Sequence, residues 1–347
     1  MNETAARNLL GQELPNGWKV KERIDLPPGG TGGHFSVGYR VERNGVSAFL
    51  KALDFEPAFE APDPLRTLQG MTNAFAFEED LAFKCRDRHM SRIVSPLASG
   101  TISVSGPWKI PQVSYIIFEM AEDNSRGYLG AIAQTDYAWR MRTLHQVATG
   151  LRQLHSNDIV HQDLKPSNVL VFEAAESKLA DLGCASIREA TGPRDGCLIP
   201  GDQSYAPPEL LYEYVDPEWV IRRVGSDVYH LGSLMTFFFT GVNATHALVS
   251  RLDNELRPMV WRDEFRAVLP YLIDAWDELM SDFVETVSQV APHHADAMGV
   301  IVRQLTHPDP MERGLPDSQN RPSRRLSLTK YVTRFDVLAR EFELGRM

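Results

Sequence analysis

Apolar and polar positions alternate over the first third of the chain, then change period. Trp18 to Leu26, His34 to Val41 and Val46 to Leu53 are short strand-like runs separated by Gly, Pro or Asn-Gly. Asn44-Gly45 is a hairpin signal, because a tight two-residue turn needs positive φ at both positions. Pro57 to Pro64 reads as a loop. From about Thr72 the spacing is helical, with Phe75, Glu78, Leu81, Ala82 and Cys85 on one face. Two more strand runs, Val94 to Val104 and Val113 to Met120, flank Gly106-Pro107. The remainder is mostly helical. Trp139 to His155 places Leu144, Val147, Ala148, Leu151 and Leu154 at helical spacing, and 227–240 and 294–306 look like further helices. Leu328, Tyr331, Val332, Phe335, Leu338 and Phe342 define a last amphipathic helix starting near Ser327. The change falls near residues 121–127. The pattern predicts an α+β chain, with a small β-rich lobe followed by a larger helical one.

At 347 residues and 39.0 kDa the chain is too long for one small domain and suits two modest domains or one two-lobed unit. With 43% hydrophobic and 24% charged residues it is an ordinary globular composition, which excludes a largely disordered chain, a fibre or a membrane bundle. Forty-six acidic residues against 36 basic ones give a charge of −10, which argues against a broad nucleic-acid surface. Three cysteines make no disulfide framework, so the expected compartment is a reducing cytoplasm. The start, MNETAARNLLGQELP, lacks the basic-then-apolar order of a secretory signal. The most apolar stretch, Leu231 to Val242, is too short to span a bilayer and reads as a buried helix. Neither a nucleic acid nor a membrane is an expected partner.

The chemistry concentrates in His161-Gln162-Asp163-Leu164-Lys165-Pro166-Ser167-Asn168-Val169-Leu170, with Asp181-Leu182-Gly183 thirteen residues after Asn168. This order suits phosphoryl transfer from a metal-bound nucleotide. One carboxylate must orient or deprotonate the attacking hydroxyl. An amide oxygen and a second carboxylate must hold hard cations. An ammonium must offset charge on the moving phosphoryl. Asp163, Asn168, Asp181 and Lys165 provide those groups.

On these residues the chain resembles the eukaryotic-like serine/threonine protein kinase family, from about residue 20 to about 340. HQDLKPSN looks like the family's catalytic loop and DLG like its metal-binding Asp-Phe-Gly. The resemblance implies a two-lobed fold with lobes at 16–121 and 122–316. Residues 1–15 would be an extension, and 317–347 a loop and helix completing the large lobe. It implies Asp163 as base, Lys165 as the phosphate-side cation, and Asn168 and Asp181 as ligands of Mg²⁺ or Mn²⁺. ATP would be the phosphoryl donor and a protein Ser/Thr hydroxyl the acceptor, with autophosphorylation as a further outcome. Lys51 sits where the family's strand lysine holds the α- and β-phosphates. Glu78 is its expected partner, because its neighbours along the helix are Leu81, Ala82 and Cys85; Glu79 would turn Arg86 inward. Phe118, Glu119 and Met120 resemble the gatekeeper and hinge, Leu170 the floor under the adenine, and Gly30, Gly32, Gly33, Phe35 and Val37 the phosphate-covering loop. Ala206-Pro207-Pro208-Glu209 resembles the end of the substrate-docking segment. Arg313 is the expected partner of Glu209, with Arg321 second.

Four positions depart from the family pattern. The Gly-rich segment, Gly29 to Val37, lacks a final glycine. Phe49 replaces a small residue over the adenine, so the purine roof is crowded or the strand is shifted. Gln162 stands where an Arg often pairs with a phosphate, and a neutral amide cannot make that charge-assisted bond. Phosphorylation of Ser186, Thr191 or Ser204 is therefore not expected to control the segment; if it did, Arg86, Arg188 or Arg194 would have to receive the phosphate. Asp202 replaces a threonine and would lie near Asp163, raising the pKa of one of the two.

Blander readings stand beside these. His161 reads as a buried hydrogen-bonded histidine, Cys184 and Cys197 as ordinary thiols, and Phe237-Phe238-Phe239 as core. Arg324-Arg325-Leu326-Ser327 could be a target for kinases that prefer basic residues, but reads first as a loop ending in a helix cap. Two other function classes fit part of the pattern: a small-molecule kinase of the aminoglycoside or choline type, and a pseudokinase scaffold. Lys165 and Pro208-Glu209 favour a protein kinase over the former, and the complete set of ionic groups disfavours the latter.

Overall fold

The computed structural model describes residues 4–24, 35–131, 136–317 and 321–345, except the side chain of residue 174. It has the two-lobed protein kinase fold. The small lobe is an antiparallel sheet in the order β1-β2-β3-β5-β4, formed by β1 (Lys19–Ile24), β2 (Ser36–Arg43), β3 (Val46–Leu53), β4 (Pro96–Ser103) and β5 (Gln112–Glu119). Asn44 and Gly45, at φ 51° and 78°, make the turn between β2 and β3. On β3, Ala48, Leu50 and Ala52 point into one apolar core, leaving Phe49 and Lys51 on the opposite face. Leu9 and Leu14 are buried in that same core, and the Tyr39 hydroxyl donates to the Ala6 carbonyl at 2.8 Å. Residues 5–14 therefore pack against the sheet.

Between β3 and β4 lie a short helix, α1 (Glu56–Phe59), and α2 (Pro64–Asp87). Part of the expected 57–64 loop is thus helical, and α2 begins eight residues before Thr72. Asp63 caps it, accepting from the Arg66 N–H at 3.1 Å, and Pro64 fills the first helical position, where no N–H is needed. In the opening turns only Leu68 turns inward, half-buried against Met71 and Phe75; full burial begins at Met71 and continues through Phe75, Glu78, Leu81, Ala82 and Cys85.

The large lobe opens with β6 (Asp123–Asn124), α3 (Ser125–Ala131) and α4 (Tyr137–His155). The strands β7 (Ile159–Val160), β8 (Val169–Phe172), β9 (Glu176–Leu179) and β10 (Ser186–Ile187) frame the catalytic segment: β8 lies between β6 and β9, and β7 pairs with β10. Helices α5 (Pro208–Leu211), α6 (Gly225–Thr240), α7 (Ala244–Ser250), α8 (Phe265–Ser288), α9 (Ala295–Leu305), α10 (Pro322–Arg325) and α11 (Thr329–Glu343) complete it. Nearly all of α6 is buried, which explains its apolar composition. Sequence reasoning missed α8, although Phe265, Val268, Leu269, Leu272, Trp276, Leu279 and Phe283 share its buried face. α11 packs on α4, where Arg142 meets Asp336 at 2.8 Å and Glu343 at 2.9 Å. Its N-cap is Leu328 rather than Ser327. Arg325 and Leu326 are buried, so the Arg-Arg-Leu-Ser stretch is not presented as an open target. Among the described residues no helix is long and apolar enough to cross a membrane.

Candidate active site

Lys51 leaves the sheet face that β3 turns away from its apolar core, and α2 brings Glu78 to it. Lys51 Nζ lies 2.6 and 2.8 Å from the two Glu78 carboxylate oxygens and 3.4 Å from Asp181 Oδ1. Burial opposes the Lys51 charge, but Asp181 and Glu78 outweigh it and hold the ammonium above the usual lysine range. Glu78 is pushed up by burial, with Lys51 opposing. Asp181 is held below the usual carboxylate range, chiefly by Lys51. It also adopts a left-handed backbone, φ 62° and ψ 78°, which costs energy for a residue with a Cβ.

The catalytic loop is held from below by Asp227, in the first turn of α6. Its two carboxylate oxygens accept the backbone N–H groups of His161 and Gln162, each at 2.8 Å, and His155 Nε2 lies 2.8 Å away. Gln162 takes φ 64° there, a second strained position. His161 is fully buried, with Nε2 3.0 Å from the Ala180 carbonyl and Nδ1 accepting from the Asp163 N–H at 3.2 Å. Its two nitrogens are occupied in holding the loop, as the blander reading has it.

Asp163 is buried, and three groups converge on it. Asn168 Nδ2 donates to its carbonyl at 2.8 Å and to Oδ2 at 3.0 Å. Lys165 Nζ is 3.1 Å from Oδ2, and the Asp202 N–H donates to Oδ1 at 2.8 Å. Lys165 also reaches Asp202 Oδ2 at 3.3 Å, so its ammonium bridges the two carboxylates. Burial raises the Asp163 pKa against the opposing pull of Lys165 and the Asp202 N–H. Asp202 is instead lowered: burial pushes it up, but the hydrogen bonds from Ser204 and the charge of Lys165 outweigh it. The two carboxylates expected to compete are thus separated by Lys165, and Asp163 is the one raised.

The donor set fits a hard cation. The Asn168 N–H bonds to Asp163 leave its amide oxygen free to accept elsewhere, and Lys51 holds the Asp181 carboxyl below the usual carboxylate range. Among the described residues no group of three or more His, Cys, Asp and Glu side chains gathers as a metal site.

Val37 is buried in the sheet core and Phe35 is 36% exposed. Gly30, Gly32 and Gly33 lie outside the described residues. Phe49 stands opposite Phe118, and Lys51 stands opposite Gly38 and Ile116. The Phe49 ring lies across Gly38, where a Cβ would come within 2.9 Å of it. A glycine on the neighbouring strand therefore makes room for the large side chain. Phe118 packs with Met71 and Phe75 of α2. The Glu119 N–H donates to the Ser95 carbonyl at 3.1 Å, so only the carbonyl of Glu119 could meet a purine edge. Its carboxylate holds Lys178 of β9 at 2.8 Å, which ties the segment between the lobes to the large lobe. Leu170 faces Asn124 on one side and Lys178 on the other. Cys184 is pushed up to about 12, first by burial and then by Asp163 and Asp181, which suits an unreactive thiol. Further along, Glu209 meets Arg313, whereas Arg321 turns to Asp317 at 3.3 Å.

The profile of the protein kinase domain matches residues 91–313, which is most of the large lobe together with β4 and β5. The chain belongs to the protein kinase family. Curated members of the family show the same likeness. The serine/threonine-protein kinase PknL of Mycobacterium bovis is 30% identical over 269 residues, 77% of this chain and 63% of PknL. A cysteine-rich receptor-like protein kinase of Oryza sativa subsp. japonica is 31% identical over 150 residues, 41% of this chain and 20% of that protein. A receptor protein-tyrosine kinase of Arabidopsis thaliana, CEPR2, is 30% identical over 137 residues, 37% of this chain and 13% of its own length. The chain thus spans less than two thirds of each of these kinases.

Sequence reasoning missed one buried residue at this site. Arg223 lies just before α6, and its guanidinium reaches Gln162 Oε1 at 2.5 Å. The signal available was Arg222-Arg223, four residues upstream of Ser226-Asp227 in an otherwise apolar stretch.

Proposed function

We propose that this chain is an ATP-dependent serine/threonine protein kinase. The observation that carries the reading is the placement of Lys51 between Glu78 and Asp181. A partly buried lysine held by two carboxylates from separate elements is a preformed anchor for the phosphates of a nucleotide. Asp163 then orients the acceptor hydroxyl and takes its proton at Oδ1 or Oδ2. Lys165 keeps the base from drifting and offsets negative charge on the phosphoryl oxygens. Asn168 and Asp181 would hold Mg²⁺ or Mn²⁺, which when bound neutralises the charge of the transferred group.

On this reading residues 16–121 form the nucleotide-side lobe and 122–316 the acceptor-side lobe. Residues 1–15 are an extension of the first, and 317–347 complete the second. Gly30, Gly32, Gly33, Phe35 and Val37 cover the phosphates, Phe118 is the gatekeeper, Glu119 and Met120 meet the adenine edge, and Leu170 lies under it. Lys165, two residues beyond the base, favours Ser/Thr over Tyr, as the name of PknL does for that relative. We place the protein in the cytoplasm, with a protein hydroxyl as acceptor and its own hydroxyls as a second one.

The test is incubation with labelled ATP and Mg²⁺, alone and with casein, followed by mass spectrometric mapping of the modified residues. Label on serine or threonine supports the reading. ATP binding without any transfer would favour a scaffold.

A further inference from the structure

Gln162 carries no charge, so the residue beside the base cannot itself hold an anion on the segment after Asp181. The structure brings a cation from elsewhere. Arg223 is 4% exposed and faces the underside of that segment. Its Nη1 donates to Gln162 Oε1 at 2.5 Å, and its Nη2 donates to the Asp195 carbonyl at 2.8 Å, with Asp195 Oδ1 at 3.9 Å. Gln162 Nε2 donates onward to Ser186 Oγ at 2.6 Å and to the Cys184 carbonyl at 2.9 Å. The Ser186 hydroxyl donates to Asp195 Oδ1, and Asp195 Oδ2 accepts the Gly192 N–H at 2.6 Å. The bonds close a ring from Arg223 through Gln162 and Ser186 to Asp195 and back to Arg223.

Each member has a reason to be there. A buried guanidinium needs acceptors and a nearby anion. An uncharged amide can accept from Arg223 and donate to Ser186 at once, which a second arginine at position 162 could not do. Asp195 supplies a carboxylate where a phosphate would otherwise supply charge. The ring touches the catalytic loop one residue before Asp163, at the strained backbone of Gln162.

We propose that Arg223 is a positioning residue for catalysis, and that Asp195 is its built-in anion, ordering residues 184–202 without phosphorylation. This rests on the kinase reading of the site. Arg223 touches no reacting group; it acts through Gln162 on Asp163 and through Asp195 on the docking segment. A new anion at Ser186 would sit against Asp195 and open the ring.

The experiment compares wild type with Arg223→Met, Arg223→Lys, Asp195→Asn, Ser186→Asp and the double variant Arg223→Met/Asp195→Asn. It reads steady-state ADP release with casein as acceptor and hydrogen–deuterium exchange of peptides covering 184–202. We expect Arg223→Met to lower kcat at least tenfold, with the KM for ATP unchanged within twofold and faster exchange across 184–202. Arg223→Lys should recover part of kcat. Ser186→Asp should lower turnover, opposite to a segment that phosphate activates. The double variant should be no worse than the poorer single one, because both break one ring. The partly exposed Asp195 is the variant to use if Arg223→Met does not fold. Unchanged exchange and kcat in Arg223→Met or Asp195→Asn, multiplying effects in the double variant, or activation by Ser186→Asp would each overturn the proposal. If wild type itself transfers no phosphoryl group, the kinase reading fails, while exchange at 184–202 still decides whether the ring orders the segment.

Discussion

Arg313 grips Glu209 with two parallel bonds, Nη1 to Oε1 and Nη2 to Oε2, both 2.7 Å. The guanidinium is fully buried, also donates to the Gly225 carbonyl at 3.2 Å, and stacks over Tyr229 at 4.9 Å. The pair fastens α5 to the start of α6 in the large lobe. Glu209→Ala leaves that guanidinium without its anion and should cost roughly 3–5 kcal/mol. Arg321→Ala, at a partly exposed site, should cost less than about 1 kcal/mol. Urea unfolding of the two variants measures both.

The choice of Glu78 over Glu79 is testable in the same direct way. Glu78→Gln removes the charge that Lys51 meets at 2.6 Å. It should lower kcat/KM for ATP at least tenfold, about 1.4 kcal/mol or more of transition-state stabilisation. Glu79→Gln should stay within twofold of wild type. Initial rates over a range of ATP concentrations decide it.

Much of this site was legible in the chain because its motifs resemble those of protein kinases. That resemblance brings Lys51, Asp163, Asn168 and Asp181 together, and the apolar companions of Glu78 along α2 pick it over Glu79. Glu209 and Arg313, more than a hundred residues apart, were also paired on their motifs. What escaped depends on three dimensions. Gly38 accommodates Phe49 from a neighbouring strand, a diagonal relation that neither residue's own run reveals. Arg223 reads as one of two adjacent arginines until the fold buries it under Gln162. The first turns of α2 turn little more than Leu68 to the core, too little to betray them, although Asp63-Pro64 was a start signal in plain view. In α8 the periodic face was present, but Pro270 lies inside the helix and made a single long helix harder to read.

The pH profile should carry the mark of Asp163. Burial raises its pKa despite Lys165 and the Asp202 N–H. A base must be deprotonated to work, so kcat/KM should fall as pH drops through that raised value, above the ordinary aspartate value of about 3.9. Activity is retained above it. Lys165→Met removes the opposing cation, so the midpoint of the acid limb should move to higher pH. A midpoint that stays put or moves down in this variant would contradict the pairing at 3.1 Å.

The most direct measurement separates binding from transfer in Asp163→Asn. Asp163 stands with Lys165 and Asn168, while Lys51, Glu78 and Asp181 form the group assigned to the phosphates. The account predicts that the variant binds Mg²⁺-ATP with a Kd within about threefold of wild type in calorimetry. Its transfer to serine or threonine should fall on the order of 10³-fold or more, several kcal/mol of barrier. Near-normal transfer by Asp163→Asn, under conditions where wild type is active, would contradict the assignment of the base and with it the central claim.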